Sequence, residues 1–125
     1  MRPEERDPAF LWDMIQAARA IVEFTDNVTL EKFLAVGRDR EMTRLAVERG
    51  LEILGEAARR VSSPFRDRHP EIHWKEIIGL RNVLSHQYDM VNYQEIYGIV
   101  REQIPELITQ LEPLVPPPPQ IDDEI

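Results

Sequence analysis

Residues 42–61, MTRLAVERGLEILGEAARRV, decide the fold. Met42, Leu45, Ala46, Ile53, Leu54, Ala57 and Val61 recur at spacings of three and four, the pattern of one apolar stripe on an α-helix. This is the longest helix of the chain. Gly50 and Gly55 lie inside it, each costing about 1 kcal/mol against alanine, so a close crossing by another helix is expected there to offset the loss.

Working outward, Asp7-Pro8 reads as an N-cap followed by proline at the first helical position. Phe10, Leu11, Met14, Ile15, Ala18, Ile21 and Val22 then mark a first helix ending near Thr25. Leu30, Phe33 and Leu34 suggest a short segment. Beyond the long helix, Ser63-Pro64 restarts a brief turn, and a further helix is expected from His73 or Trp74 to about His86, carrying Ile77, Leu80 and Leu84. Asn92 with Glu95 resembles a capping box that opens a last helix through Ile96, Val100, Ile104, Leu107, Ile108 and Leu111, with a kink expected at Pro105. No strand alternation or hairpin dipeptide competes. The expectation is an all-α chain: an antiparallel four-helix bundle with short extra helices over residues 1–113, and a flexible Pro-rich, acidic tail over 114–125.

The chain has 125 residues, 42% of them hydrophobic, which fits one domain with a real core. It has no cysteine, excluding thiol chemistry and thiolate zinc sites. Neither a signal peptide nor an apolar run of the roughly 18 residues needed to span a membrane is evident, so a cytoplasmic protein is expected. The net charge of −8 disfavours a general nucleic-acid coat. The charge is uneven, however: residues 59–81 hold Arg59, Arg60, Arg66, Arg68, Lys75 and Arg81 against Asp67, Glu71 and Glu76, a local +3 that leaves −11 elsewhere. Such asymmetry can direct a phosphate-bearing ligand to one patch.

Within that region, Gly79-Leu80-Arg81-Asn82-Val83-Leu84-Ser85-His86-Gln87-Tyr88 concentrates reactive groups. At about 100° per residue from Arg81, Ser85 falls near 40°, Asn82 near 100°, Lys75 near 120° and His86 near 140°. They share one face, while Ile77, Leu80, Val83 and Leu84 occupy the other. Gly79, near 160°, would leave room for a ligand to approach the backbone.

Guanidinium, amide, hydroxyl and imidazole together suit a phosphodiester. Arginine's fork holds two phosphate oxygens, and histidine moves protons near neutral pH. RNA supplies its own nucleophile: a base removes the 2′-OH proton, that oxygen attacks phosphorus, and an acid protonates the departing 5′-oxygen, leaving a 2′,3′-cyclic phosphate. Each transfer is worth about 10²- to 10⁴-fold. One histidine performs only one of these jobs at a time, so a second His86 from a symmetry-related chain predicts a site at a homodimer interface. Taken alone, the spacing also fits a solvated polar face.

The run Arg81-x4-His86-x-Tyr88, with Asn82 after the arginine, resembles the signature of the HEPN superfamily, in its HepT-like toxin branch. The resemblance extends to Leu51-Glu52-Ile53-Leu54-Gly55-Glu56-Ala57-Ala58, to His69-Pro70-Glu71-Ile72-His73-Trp74 and to Ile78-Gly79-Leu80 before the motif, covering about residues 8–112. It implies an all-α homodimer acting as a metal-independent endoribonuclease on RNA, with tRNA the expected species. Arg81 and His86 would be the catalytic pair, Asn82 would assist, and Ser85 and Lys75 are candidates for positioning substrate. It also implies a cognate MntA-like nucleotidyltransferase antitoxin that transfers AMP from ATP to Tyr88. An added nucleotide two residues past His86 would put bulk and negative charge where the substrate phosphate must sit.

Other features are weaker. His69 and His73 have a zinc-like spacing, but Pro70 breaks the helix between them and no third ligand is near, so neither metal nor cofactor is expected. Glu48, Glu52 and Glu56 form an acidic row that either binds a basic partner or is solvated beside Arg44, Arg49 and Arg60. Trp12 and Trp74 read as core. The rivals to the nuclease are a non-catalytic helical module that binds a nucleotide or the transferase, and a structural dimerisation domain.

Overall fold

The computed structural model of the chain describes residues 3–84 and 91–117. These are all-α, with no strand among the described residues. A 3₁₀ turn, Pro3–Arg6, leads into α1 (Asp7–Phe24); α2 (Leu30–Leu34) and α3 (Arg38–Arg60) follow. Three short helices come next, α4 (Ser63–Arg68), α5 (Trp74–Ile78) and α6 (Leu80–Leu84). The last helix is α7 (Tyr93–Gly98), a π-helical turn Ile99–Gln103, and α8 (Ile104–Leu111).

α1 and α3 form the central pair. A Cβ on Gly50 would lie 2.6 Å from Ile21 Cγ1, so the expected close crossing is there. Ser62, just past α3, meets Asp7 at the start of α1, so the two helices run antiparallel. Gly55 makes the second crossing, where a Cβ would stand 3.1 Å from the Ile77 carbonyl of α5. The core is filled by Leu11, Met14, Ile15, Ala18 and Ile21 of α1, and by Ile96, Val100, Ile104, Leu107 and Leu111 of the last helix, as their spacing predicts. Full burial of such a side chain is worth about 1.5–3 kcal/mol. Phe33 of α2 is enclosed between the rings of Tyr93 and Tyr97.

Three sequence expectations are corrected. The stripe read along the long helix mixes two: Val47, Leu51, Leu54 and Ala58 face the core, whereas Met42, Leu45 and Ile53 stand exposed. Asp7 does not cap α1, because the 3₁₀ turn leads straight into that helix. Its buried carboxylate instead accepts from the Ser62 N–H at 2.7 Å and the Ser62 hydroxyl at 2.6 Å. The helix from Trp74 does not run unbroken, since Gly79 (ψ −2°) turns the chain between α5 and α6. At Pro105 the helix is disturbed by a π turn: the proline has no N–H for the Arg101 carbonyl, and the Ile104 N–H reaches back five residues to Ile99.

Packing continues past the expected domain boundary, as Leu114 and Val115 lie against the core. Residues 118–125, most of the expected tail, lie outside the described residues.

Candidate functional site

α6 presents the two described residues of the motif that carry its polar chemistry. Leu80 and Leu84 are buried and Val83 is half-buried, which turns Arg81 and Asn82 outward, where both are exposed. The division of this helix into an apolar and a polar face follows the sequence wheel. No hydrogen bond or ion pair joins the Arg81 guanidinium to another described residue. Ser85, His86 and Tyr88 lie outside the described residues.

Lys75 is exposed too, but on α5, across the turn at Gly79, so the continuous wheel that aligned it with Arg81 does not carry through. Gly79 itself is half-buried at that turn. A Cβ there would meet the Lys75 carbonyl at 3.1 Å, and the glycine serves the tight α5–α6 turn, where its N–H donates to Lys75 and its carbonyl accepts from Asn82.

Several other charged residues of the basic segment and of α3 have partners among the described residues. Arg59 and Arg60 of the basic segment both bond Glu56, at 2.7 and 3.0 Å, and their hydrogen bonds bring its carboxyl down to about 2. Arg68 lies over the Phe65 ring, and Arg66 reaches Ser63. The acidic row on α3 is engaged as well: Glu52 pairs with Arg49, and Glu48 accepts from the Tyr93 hydroxyl at 3.0 Å. Burial raises the Tyr93 pKa, and the carboxylate raises it further. Arg44 caps α2 through the Phe33 and Ala35 carbonyls and lies over the Tyr93 ring. The Glu48–Tyr93 link is absent from the sequence reading, and no local spacing signals it, because the partners are 45 residues apart.

On its other side, α6 borders a cavity of about 280 Å³, floored by Ile77, Leu80 and Ile104 and rimmed by His73, Glu76 and Gln103. His69 and His73 each face a glutamate, Glu71 at 3.3 Å and Glu76 at 3.9 Å; among the described residues no cluster of three metal-ligating side chains occurs. Trp74 is core, with its indole N–H donating to the His69 carbonyl, and Trp12 packs against the core. Among the described residues, no helix is long and apolar enough to cross a membrane.

Comparison with known proteins supplies what α6 alone does not. The model of a family described as "Ribonuclease HepT-like" matches residues 14–114. A Methanocaldococcus jannaschii relative named "Putative RNase MJ1380" is 38% identical over 104 residues, 83% of this chain and 92% of the relative. "Probable ribonuclease HepT" of Thermococcus cleftensis is 38% identical over 105 residues, 84% of this chain and 92% of the relative. "Putative RNase TTE0752" of Caldanaerobacter subterraneus subsp. tengcongensis is 35% identical over 106 residues, covering 85% and 91%. No solved structure matches. With the match running from α1 to the end of the last helix and enclosing the Arg81 motif, the chain belongs to the HepT-like ribonuclease family of the HEPN superfamily.

Proposed function

We propose that the chain is the toxin of a toxin–antitoxin pair: an endoribonuclease that cuts RNA, with tRNA the preferred substrate, without a metal ion. The observation that carries this reading is the exposed Arg81 on α6, which has no hydrogen-bond or ion-pair partner among the described residues, in a chain whose relatives bear ribonuclease names. A guanidinium with no partner among the described residues keeps its fork free for a phosphodiester. In this reading Arg81 holds the scissile phosphate and offsets the charge developing on it, Asn82 hydrogen-bonds a phosphate oxygen, and His86 transfers the proton. Ser85 and Lys75 position the strand. His86 of a second copy takes the complementary acid or base role, so the working unit is a homodimer.

Neutralisation, in this reading, rests on the order of the motif in the sequence, with Tyr88 two residues past His86. A cognate nucleotidyltransferase places AMP on Tyr88, and the added phosphate competes with the substrate for Arg81. Co-expression with a neighbouring nucleotidyltransferase followed by intact-mass measurement tests this step. Mass increments of one or more adenylyl groups, lost in Tyr88→Phe, are expected; an unmodified mass overturns it.

The net charge of −8 favours one alternative, a module that binds the transferase or a nucleotide and cuts nothing. Protein that binds ATP but leaves RNA intact in EDTA would establish that alternative and remove the nuclease.

A further inference from the structure

The cavity beside α6 is lined for a ligand that Arg81 by itself does not explain. Its volume of about 280 Å³ lies at the lower edge of small-molecule sites, roughly 300–1,000 Å³, with room for one planar heterocycle. Buried Leu80, Ile104 and Leu107 belong to an apolar floor, and polar side chains stand on both walls. α5 contributes His73 and Glu76, which face each other at 3.9 Å. The last helix contributes Gln103, Glu106 and Gln110, which recur at three and four and so share one face. Gln110 is held, because its amide donates to the Glu71 carbonyl at 3.0 Å. The side chains of Gln103 and Glu106 have neither a hydrogen-bond nor an ion-pair partner among the described residues.

The lining carries two carboxylates and, among the described residues, no lysine or arginine, so a phosphate is repelled there. A nucleotide divides along the same line, into an anionic backbone and an uncharged base. We infer that the cavity holds a guanine base of the RNA, adjoining the phosphate bound at Arg81, with Glu106 accepting from N1–H and N2–H and Gln103 donating to O6. The inference rests on the nuclease reading of Arg81 and adds to it the base that the enzyme selects.

Position agrees. Leu80 lines the cavity and Arg81 follows it, about 100° further round α6, so the two sites adjoin without overlapping. An unstacked nucleotide of single-stranded RNA spans them, its base turned into the cavity and its phosphate on the exposed side. The donor pattern selects the base. A carboxylate takes two parallel N–H groups, and guanine alone among the four RNA bases offers them on adjacent atoms. Adenine and cytosine each place a lone-pair nitrogen beside the amino group, and uracil flanks its single N–H with two carbonyls. Each of those three sets an acceptor against Glu106. The O6 of guanine lies beside N1–H, and Gln103 stands one turn before Glu106 on the same face, so amide and carboxylate lie side by side as that edge requires.

Two measurements on the full chain test this. Cut sites are mapped on an unstructured RNA that presents all four bases equally. Wild type should favour cuts adjoining guanosine, on one fixed side, by about 10- to 100-fold in kcat/KM, the discrimination of one bidentate base contact. Glu106→Gln should reduce that preference at least about fivefold, and so should inosine in place of guanosine, which lacks the N2 amino group. Thr109→Ala, at an exposed position of α8 outside the cavity lining, should keep the wild-type ratio. Methyl NMR of the same chain then follows a titration with guanosine, which should shift the Ile104 and Leu107 signals, whereas uridine should not. Circular dichroism checks that each variant is folded. Cutting without base preference, or a preference that Glu106→Gln leaves intact, overturns the base site and leaves the nuclease standing. Guanosine that leaves the Ile104 and Leu107 methyls unmoved overturns it as well. Guanosine bound at those methyls by a chain that cuts no RNA would support the cavity and refute the nuclease instead.

Discussion

The carboxylate of Asp7 accepts both the backbone N–H and the hydroxyl of Ser62, at 2.7 and 2.6 Å, across 55 residues of sequence. Both residues are buried, so this contact fixes the start of α1 to the entry of α4. The Ser62 hydroxyl also accepts from the Phe65 N–H, capping α4. Asp7→Ala leaves a buried N–H unsatisfied and should cost about 1–3 kcal/mol in urea unfolding. Asp7→Asn, which keeps one acceptor, should cost less. Equal losses in the two variants would show that the contact acts through charge alone.

Two glycines should respond in opposite directions to alanine. At Gly50 the new methyl would stand 2.6 Å from Cγ1 of the fully buried Ile21, and overpacking of about 1–3 kcal/mol outweighs the gain in helix propensity. At Gly98 nothing lies within 4 Å and the backbone is helical, so Gly98→Ala should stabilise by about 0.5–1 kcal/mol. Thermal melts of both variants decide the matter; a stabilised Gly50→Ala would mean that α1 and α3 can separate at little cost.

The crossing at Gly50 was legible in the sequence because glycine inside a long helix carries a penalty that only proximity explains. The apolar faces of α1, α6 and the last helix were legible for the same kind of reason: one period, one face. The face of α3 was not. Met42, Leu45 and Ile53 are as apolar as Val47, Leu51 and Leu54, and hydropathy does not distinguish a stripe meant for the core from one left outside. At the site, the exposure of Arg81 and Asn82 followed from the wheel, while the alignment of Lys75 did not, because one glycine with ψ near zero resets the helix phase. Asp7–Ser62 and Glu48–Tyr93 were invisible because each joins residues far apart in the chain.

Acid should loosen the α3 surface through Glu56. Its carboxyl titrates near 2 rather than at its ordinary 4.5, because Arg59 and Arg60 bond the charged form. A depressed folded-state value means that the stabilisation is fully present above 4.5 and lost as pH falls from there towards 2. The pair is exposed, so the effect is small and screened by salt. Glu56→Gln should flatten the low-salt stability profile over that window, and an unchanged profile would show that the two arginines do not hold the carboxylate in solution.

Binding of RNA by a chain of −8 must rely on local cations, so affinity should fall as salt rises, and Arg81→Ala should reduce the salt slope by about one. Filter binding across a salt series measures this. A slope unchanged by Arg81→Ala would place the phosphate contact elsewhere.

The most direct test is cleavage of RNA in EDTA by wild type, Arg81→Ala and His86→Ala, with the product ends identified. Wild type should yield 2′,3′-cyclic phosphate ends. His86→Ala should lose about 10²- to 10⁴-fold in rate and Arg81→Ala about 10²- to 10³-fold, with both proteins still folded. Cleavage at the wild-type rate by either variant, or products lacking the cyclic end, would contradict a guanidinium and an imidazole acting together on one phosphodiester.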